Sequence, residues 1–202
     1  GLIIRSSTRA DAELLSAASQ LKVIARAGVG VDNVDLPAAT ERGIVVMNTP
    51  GSNTISTAEH AFALMLALAR HIPAAHQSLA QGRWDRKQYI GAELNGIVGL
   101  GRIGQALAAR AQAFNMTVIA YEPYTPVEGL GVEYVELADL YTRADFISLH
   151  PALTDETRGM INAASIAQMK PGVRLINAAR GALIVEQDLA DAVRRGHVAG
   201  AA

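Results

Sequence analysis

Three glycines in the run GLGRIG have the spacing of a turn that binds a dinucleotide pyrophosphate: Gly99, Gly101 and Gly104. The first permits a tight turn from strand to helix, the second lets the backbone approach the phosphates, and the third lets the helix pack closely on the strand. A helix that begins near Arg102 and Ile103 would direct free N–H groups and the positive end of its dipole at an anion. The pattern therefore predicts a phosphate site at the start of that helix.

An acidic residue follows where a dinucleotide site needs one. The next apolar run, MTVIAYE, ends in Glu122, whose carboxylate would accept hydrogen bonds from the hydroxyls of an adenosine ribose. Because a carboxylate repels a 2′-phosphate, Glu122 favours NAD over NADP. A methyltransferase can use a related glycine turn and ribose-binding acid, so that class stays open on these residues alone.

Arg180 is the residue that favours an NAD-binding protein over a methyltransferase. It stands between small apolar residues in RLINAARGALI, where burying a permanently charged guanidinium without a partner would be costly. If RLINAA is a strand, Arg180 lies at its carboxyl end, where open α/β sheets bind ligands. It would then present a cation to a substrate anion near a nicotinamide. A salt bridge within the core is the alternative.

Elements that would position these residues are visible along the whole chain. Short runs rich in Val and Ile alternate with longer stretches of helical period, which predicts an α/β fold with a parallel sheet covered by helices. The strand candidates are LIIRS, KVIARAG, GIVVMN, GIVGLG, MTVIAYE, DFISLH and RLINAA.

One helix is marked at its start. Ser56 and Glu59 have the spacing of a capping box, and the segment that follows is apolar on nearly every side. This pattern predicts a helix from Ser56 that is buried all round, between domains or between subunits. The turn-rich segment before it predicts a boundary near residue 52, with one domain over residues 1–52 and another over residues 53–202.

Composition argues against several classes of function. The 202 residues include 18 basic and 19 acidic side chains, scattered along the chain, which argues against nucleic acid or a membrane surface as a partner. The longest apolar run, residues 61–69, is far shorter than the roughly 20 residues that span a bilayer. The chain has no cysteine, which excludes disulfides and thiolate zinc sites and fits a cytoplasmic location. No metal site is predicted.

The sequence resembles the D-isomer-specific 2-hydroxyacid dehydrogenases in four long segments. These are ARAGVGVDNVDLPAATERGIVVMNTPGSNTISTAEHAFALMLALAR, GRWDRKQYIGAEL, GLGRIGQALAARAQAFNMTVIAYEPY and the run from ADFISLHPALTDETRG to the last residue. The resemblance implies a doubly wound, Rossmann-type parallel sheet in an NAD domain and part of a second, flavodoxin-like substrate domain. It also implies NAD-dependent hydride transfer from C2 of a hydroxy acid, and GRWDRKQYIGAEL favours the branch that oxidises 3-phosphoglycerate in serine biosynthesis.

The resemblance assigns roles to individual residues, with Arg180 as the catalytic cation that polarises the forming carbonyl. The residues implied in cofactor binding are Val29, Gly99, Gly101, Arg102, Ile103, Gly104, Glu122, His150, Pro151, Thr157, Ala178, Ala179 and Arg180. Those implied in substrate binding are Arg5, Arg26, Gly28, Val29, Gly30 and Arg180. Within this second set, Arg5 and Arg26 match phosphate-holding positions, and the 28–30 loop would offer backbone N–H groups to the substrate carboxylate. Glu122 replaces the more common Asp, and Pro151 stands where Thr is common.

Two catalytic residues of the family have no counterpart in the sequence. The family's His base and the Glu that holds it correspond to positions after Ala202, so we expect these 202 residues to belong to a longer chain. A few residues that usually complete the first strand of the nucleotide fold are also lacking, which predicts a break between Gly96 and Ile97.

Alternatives to phosphoglycerate oxidation stay open. Another D-2-hydroxyacid dehydrogenase, or a reductase of glyoxylate or hydroxypyruvate, would use the same chemistry on a different substrate. A non-enzymatic NADH-responsive protein of the corepressor type shares the motifs, because fold alone does not determine function. The 202 residues taken alone would be a dimerising, nucleotide-binding remnant without catalysis. In each case the apolar helix predicts a homo-oligomer, either a dimer or a tetramer.

Overall fold

The structure is a computed structural model that describes residues 1–89, 101–124 and 126–202. Residues 96–100 of the predicted strand GIVGLG, which include Gly99 and the predicted break between Gly96 and Ile97, lie outside these ranges. The chain divides into two compact units, Gly1–Thr54 and Ile55–Ala202, close to the boundary expected near residue 52. Within the described ranges, no helix is both long and apolar enough to cross a membrane.

The first unit is a three-stranded parallel sheet with two short helices. Its strands pair in the order β1 (Leu2–Ile4), β2 (Val23–Arg26), β3 (Val45–Met47), which confirms the predictions made for LIIRS, KVIARAG and GIVVMN. The helices α1 (Ala12–Ala17) and α2 (Leu36–Glu41) begin after Asp11 and Asp35, whose carboxylates accept from backbone N–H groups of the first turn at 3.0 Å.

The second unit contains the remaining elements, and every strand pair in its described part is parallel. Its helices are α3 (Thr54–Ala69), α4 (Ile72–Ala80), α5 (Arg102–Ala113), α6 (Leu137–Arg143), α7 (Ala163–Gln168) and α8 (Glu186–Arg194). Its strands are β4 (Ile119–Ala120) paired with β5 (Glu133–Tyr134), and β6 (Phe146–Leu149), β7 (Val173–Asn177) and β8 (Val198–Ala201) in that order. Single 3₁₀ turns lie at Arg86–Tyr89 and Gly181–Leu183. The predicted α/β class with parallel sheets is confirmed.

Strand β6 shows why the sheet forms where it does. All four of its residues are buried, including Ser148. A strand covered on both faces is typical of a parallel sheet between two layers of helices, and its sequence is then a continuous apolar run rather than an alternating one. The structure confirms β6 and β7, which the short apolar runs DFISLH and RLINAA predicted.

The capping-box prediction for Ser56 and Glu59 is wrong. Helix α3 begins at Thr54, so both residues lie inside the helix. The earlier start follows from a tight turn in which the N–H of Thr54 donates to the carbonyl of Gly51, which has a φ of 90° that favours glycine. The carboxylate of Glu59 instead accepts from Arg110 Nη2 of α5 at 2.9 Å.

Helix α3 packs one face into the core of the second unit. The residues of that face are Ala58, Ala61, Phe62, Met65 and Ala69. The Phe62 ring meets Phe114 edge to face, with ring centroids 4.9 Å apart. Ile55, in the first turn of the helix, keeps 54% of its surface exposed, and Ala63 on the far face is exposed as well. Burial on all sides therefore stays a prediction for an assembly.

Candidate functional site

The glycine turn leads directly into the first turn of helix α5. Gly101 is the N-cap of α5, with φ −60° and ψ −178°, and within the described residues no side chain caps the first turn. A methyl group added at Gly101 would meet no described heavy atom within 4 Å. Gly104, one turn into the helix, is buried against the core. Open N–H groups beside an exposed glycine, on a helix that packs closely, fit the phosphates of a dinucleotide.

The side chains next to this turn divide between solvent and core. Arg102 is exposed, whereas Ile103 is half-buried and packs on the hydrophobic cluster that contains Leu107 and Phe62. Ile103 therefore anchors the first turn of α5, and Arg102 is free of the core at the position where an anion would arrive.

Glu122 lies two residues after β4, in the chain segment that leaves the carboxyl end of the strand. The strand itself is shorter than the predicted run, since it ends at Ala120. Glu122 Oε1 accepts from the N–H of Tyr124 at 3.2 Å, which folds the carboxylate back on its own loop. A half-buried acid at this edge suits a ribose diol, which donates two hydrogen bonds.

His150 directly follows β6 and is mostly buried. A hydrogen bond of 2.9 Å joins its Nε2 to Ser148 Oγ, and its Nδ1 is buried without a partner among the described residues. Burial lowers the pKa of His150 to about 4. The imidazole is therefore neutral at physiological pH, and it carries one nitrogen available to a ligand.

The loop after His150 is tied by its own threonines. Pro151 is half-buried, and Thr157 Oγ1 donates to the carbonyl of Ala152 at 2.7 Å while it accepts from the N–H of Thr154 at 2.8 Å. Thr157 thus shapes the 152–157 loop from within. Its expected position beside a nicotinamide stays a prediction.

Arg180 lies on a braced loop at the carboxyl end of β7. The side chain of Asn177 spans this loop: its Oδ1 accepts from the N–H of Ala179 at 3.0 Å, and its Nδ2 donates to the carbonyl of Arg180 at 2.8 Å. Arg180 is half-buried, and its Nη1 donates to the carbonyl of Ala179 at 3.0 Å. The guanidinium is therefore held close to the loop from which it projects.

Ala178 and Ala179 lie between the two hydrophobic clusters of the second unit. Ala178 packs on the cluster formed with α3 and α5, and Ala179 packs on the cluster around β6, β7 and α8. Strands β6 and β7 pair in parallel, with Leu149 opposite Asn177. His150 and the 178–180 loop consequently emerge side by side, at the edge of the sheet where ligands bind in open α/β folds.

Two of the four arginines of the first unit lie at neighbouring strand ends. Arg5 directly follows β1 and is exposed, and Arg26 ends β2 and is half-buried. Ile4 and Arg26 are register partners in the parallel pair. Asn33 holds the chain after β1, because its Nδ2 donates to the carbonyls of Arg5 and Thr8 at 2.9 and 2.6 Å.

The 28–30 loop is held from the β3 side. Thr49 N–H donates to the carbonyl of Gly28 at 3.0 Å, and Asn48 Nδ2 donates to the carbonyl of Val29 at 2.7 Å. The N–H of Gly28 is already occupied, since it donates to the carbonyl of Arg26 at 2.9 Å. Within the described chain, the N–H groups of Val29 and Gly30 have no partner, so these two are the donors that the loop can offer to an anion.

Sequence reasoning missed the polar side chains that hold these loops. Asn48 directly follows β3, and Asn177 ends β7. Asn33 donates to the carbonyl of Arg5, and Ser148 is hydrogen-bonded to His150. A signal existed for the first two, because an amide at the end of an apolar strand can bind the backbone of the following turn. Of the described His, Asp and Glu residues, no group of three is arranged to hold a metal ion.

The fold and these strand ends have the features of a dinucleotide-binding domain. The NAD-binding domain of the D-isomer specific 2-hydroxyacid dehydrogenase family matches residues 62–202. The chain belongs to this family, and the matched segment is its NAD-binding domain.

Particular relatives extend the similarity beyond that domain. The chain is 53% identical, over 99% of its length, to D-3-phosphoglycerate dehydrogenase of Mycobacterium bovis, and it spans 39% of that relative. Among solved structures, D-lactate dehydrogenase of Aquifex aeolicus, complexed with NAD and lactic acid, has a TM-score of 0.94 at 34% identity, with 98% of this chain and 62% of that one covered. A glyoxylate reductase from Paecilomyes thermophila has a TM-score of 0.92 at 35% identity, with 98% and 64% covered.

Proposed function

We propose that the protein oxidises D-3-phosphoglycerate to 3-phosphohydroxypyruvate, with NAD as the hydride acceptor. The observation that carries the proposal is the 53% identity to a D-3-phosphoglycerate dehydrogenase across 99% of the chain. Two arginines at neighbouring strand ends of the first unit support it, because a phosphorylated substrate needs cations that an unphosphorylated one does not.

The substrate domain is assigned to the first unit in this proposal, and the cofactor domain to the second. Arg5 and Arg26 bind the phosphate, and the N–H groups of Val29 and Gly30 bind the carboxylate. These donors suit anions since they are either permanently charged or lack a partner among the described residues. Arg180 presents its guanidinium to the C2 oxygen and the carboxylate.

The cofactor site uses the sheet edge of the second unit. Gly101, Arg102 and Ile103 receive the pyrophosphate, and Glu122 receives the ribose hydroxyls. The remaining proposed cofactor residues are Val29, Gly99, Gly104, His150, Pro151, Thr157, Ala178, Ala179 and Arg180. When bound, NAD supplies the acceptor for the hydride that leaves C2. The neutral imidazole of His150 adds no positive charge beside the nicotinamide.

The test is turnover by the complete encoded protein, followed as NADH absorbance. D-3-phosphoglycerate is compared with D-glycerate, which differs only by the phosphate. We expect kcat/KM to be higher for the phosphorylated substrate by roughly 10- to 100-fold for each charge-assisted contact. Equal values for both substrates, or turnover that survives charge reversal of both Arg5 and Arg26, would contradict the phosphate assignment.

A second candidate function is reduction of an unphosphorylated 2-oxo acid. The structural similarity to a glyoxylate reductase at a TM-score of 0.92 supports it. Glyoxylate, hydroxypyruvate and pyruvate are therefore assayed with NADH in parallel. A kcat/KM for one of them above that for phosphohydroxypyruvate would favour this candidate.

A non-enzymatic, NADH-responsive binding protein of the corepressor type is the alternative from another class. Calorimetric binding of NADH without turnover of any of these substrates would support it. Measurable NADH formation from phosphoglycerate would exclude it.

We also propose that the protein forms a homodimer or homotetramer. Large apolar side chains are exposed on and around α3 and α4, including Ile55, Ile72, Leu79 and Trp84. Apolar surface of this kind marks contact sites between proteins. Light scattering of the complete protein during size-exclusion chromatography gives the oligomer mass, and a monomer at micromolar concentration would contradict the proposal.

A further inference from the structure

The side chain of Arg26 lies across the main chain of Gly28. A Cβ atom built on Gly28 would be 1.9 Å from Arg26 Nη1 and 2.7 Å from its Cζ. Both distances are far below van der Waals contact, so the guanidinium occupies the space that any other residue at position 28 would fill. This part of the first unit therefore has room for the cation only because residue 28 lacks a side chain.

Backbone conformation does not require glycine at this position. Gly28 is absent from the residues of the described chain that have a left-handed φ. An alanine could consequently adopt the same backbone without strain. The requirement for glycine comes from the neighbouring guanidinium.

A buried polar atom of Arg26 supports a role for this side chain in ligand binding. Arg26 Nε is buried and has no hydrogen-bond partner among the described residues. A buried donor without a partner destabilises the folded protein, and a ligand that accepts a hydrogen bond from it would remove this cost. Val29 and Gly30, whose N–H groups also have no partner in the described chain, directly follow Gly28 in the sequence.

We propose that Gly28 is a positioning residue: because it lacks a side chain, it leaves the space in which the Arg26 guanidinium lies across the main chain of the 28–30 loop. From this place the guanidinium binds an anion through charge-assisted hydrogen bonds. The inference rests on the proposed function for the identity of that anion, which is the phosphate of the substrate.

The experiment is a double-mutant cycle between Gly28→Ala and Arg26→Met in the complete protein. If Gly28 acts through Arg26, Gly28→Ala raises the KM for phosphoglycerate by roughly 10- to 100-fold in the wild-type background, the loss expected for a hydrogen-bonded charge. In the Arg26→Met background the same change then has an effect of less than about threefold, because the cation is already gone. Equal effects in both backgrounds would overturn the inference, since Gly28 would then act on the substrate directly.

A structural readout separates this inference from the proposed function. In a crystal structure of the Gly28→Ala variant, we expect the Arg26 guanidinium to leave the 28–30 loop while the backbone of the loop stays unchanged. Gly1→Ala is the matched control, because an added methyl there meets only the carbonyl oxygen of Val23 at 3.6 Å. A guanidinium that keeps its place in the Gly28→Ala variant overturns the inference even if the enzyme is active. Absence of turnover in the wild type overturns the proposed function and leaves this structural test intact.

Discussion

Acidification is expected to destabilise the second unit through His150. Burial lowers the pKa of this imidazole to about 4 in the folded protein, whereas it titrates at about 6.5 in an unfolded chain. Between these two values the unfolded chain binds more protons than the folded one. The stability that depends on the neutral imidazole is therefore fully present above about pH 6.5 and is lost progressively as the pH falls towards 4.

The size of the effect follows from the gap between the two pKa values. Over the whole range between these two pKa values, protonation of the unfolded chain lowers the free energy of unfolding by about 3 kcal/mol. At pH 5 the free energy of unfolding has fallen by about 2 kcal/mol, because the unfolded chain is already protonated while the folded imidazole is still mostly neutral. A loss of this size is a large fraction of the stability of an ordinary domain.

The assay is urea denaturation followed by circular dichroism at pH 7.5 and pH 5. The His150→Gln variant cannot titrate, so the free energy of unfolding should fall between these pH values by about 2 kcal/mol less than in the wild type. Loss of the bond to Ser148 lowers the stability of the variant at both pH values and cancels in the comparison. Exposed His60 provides the control, since His60→Gln should keep the wild-type difference. A His150→Gln variant with the wild-type pH dependence would refute the argument.

Three further substitutions test the ligand edge of the second unit. Arg180→Lys should lower kcat/KM by roughly 10- to 100-fold in steady-state assays, because lysine lacks the planar fork that binds a carboxylate bidentately; an unchanged value would remove Arg180 from the site. Asn177→Ala removes both hydrogen bonds that span the 177–180 loop, and should lower the free energy of unfolding in urea by about 1–3 kcal/mol. An unchanged urea midpoint would show that these two bonds do not stabilise the protein. Glu122→Ser should narrow the preference for NAD over NADP in the ratio of their KM values, and an unchanged ratio would place the ribose elsewhere.

Much of the fold could be predicted because buried parallel strands leave an unambiguous pattern. The strands β6 and β7 are short, mostly apolar runs, in which all of β6 and Val173, Leu175 and Ile176 of β7 are buried. The strand β5 was missed for the same reason, since its two residues, Glu133 and Tyr134, form no apolar run. It exists because its backbone pairs with β4, which is a tertiary effect that residue types do not record.

The start of α3 shows the limit of local motifs. Ser56 and Glu59 satisfy the spacing of a capping box, but the preceding turn at Gly51 begins the helix two residues earlier. The carboxylate of Glu59 is then free to pair with Arg110, a partner 51 residues away in sequence. A motif of four residues cannot report such a competitor.

The candidate site was predictable in its residue types but not in its supports. Arg180 and Glu122 stand out from their apolar surroundings, so composition alone draws attention to them. The path of the Arg26 side chain over Gly28 depends on three-dimensional geometry, because neither residue departs from an ordinary strand-and-turn pattern. Asn48 and Asn177 lie between these cases, since an amide at a strand end is a visible but common feature.

The position of Ala178 and Ala179 between two hydrophobic clusters has a consequence for inherited or engineered variants. Each methyl group is half-buried against one of the clusters, and each lies on the loop that carries Arg180. A larger residue at either position would overpack a cluster and move the arginine together with it. Variants at these two positions should therefore lower the amount of protein that accumulates in a cell as well as its specific activity, and a screen that scores only activity would mistake a folding defect for a lost contact.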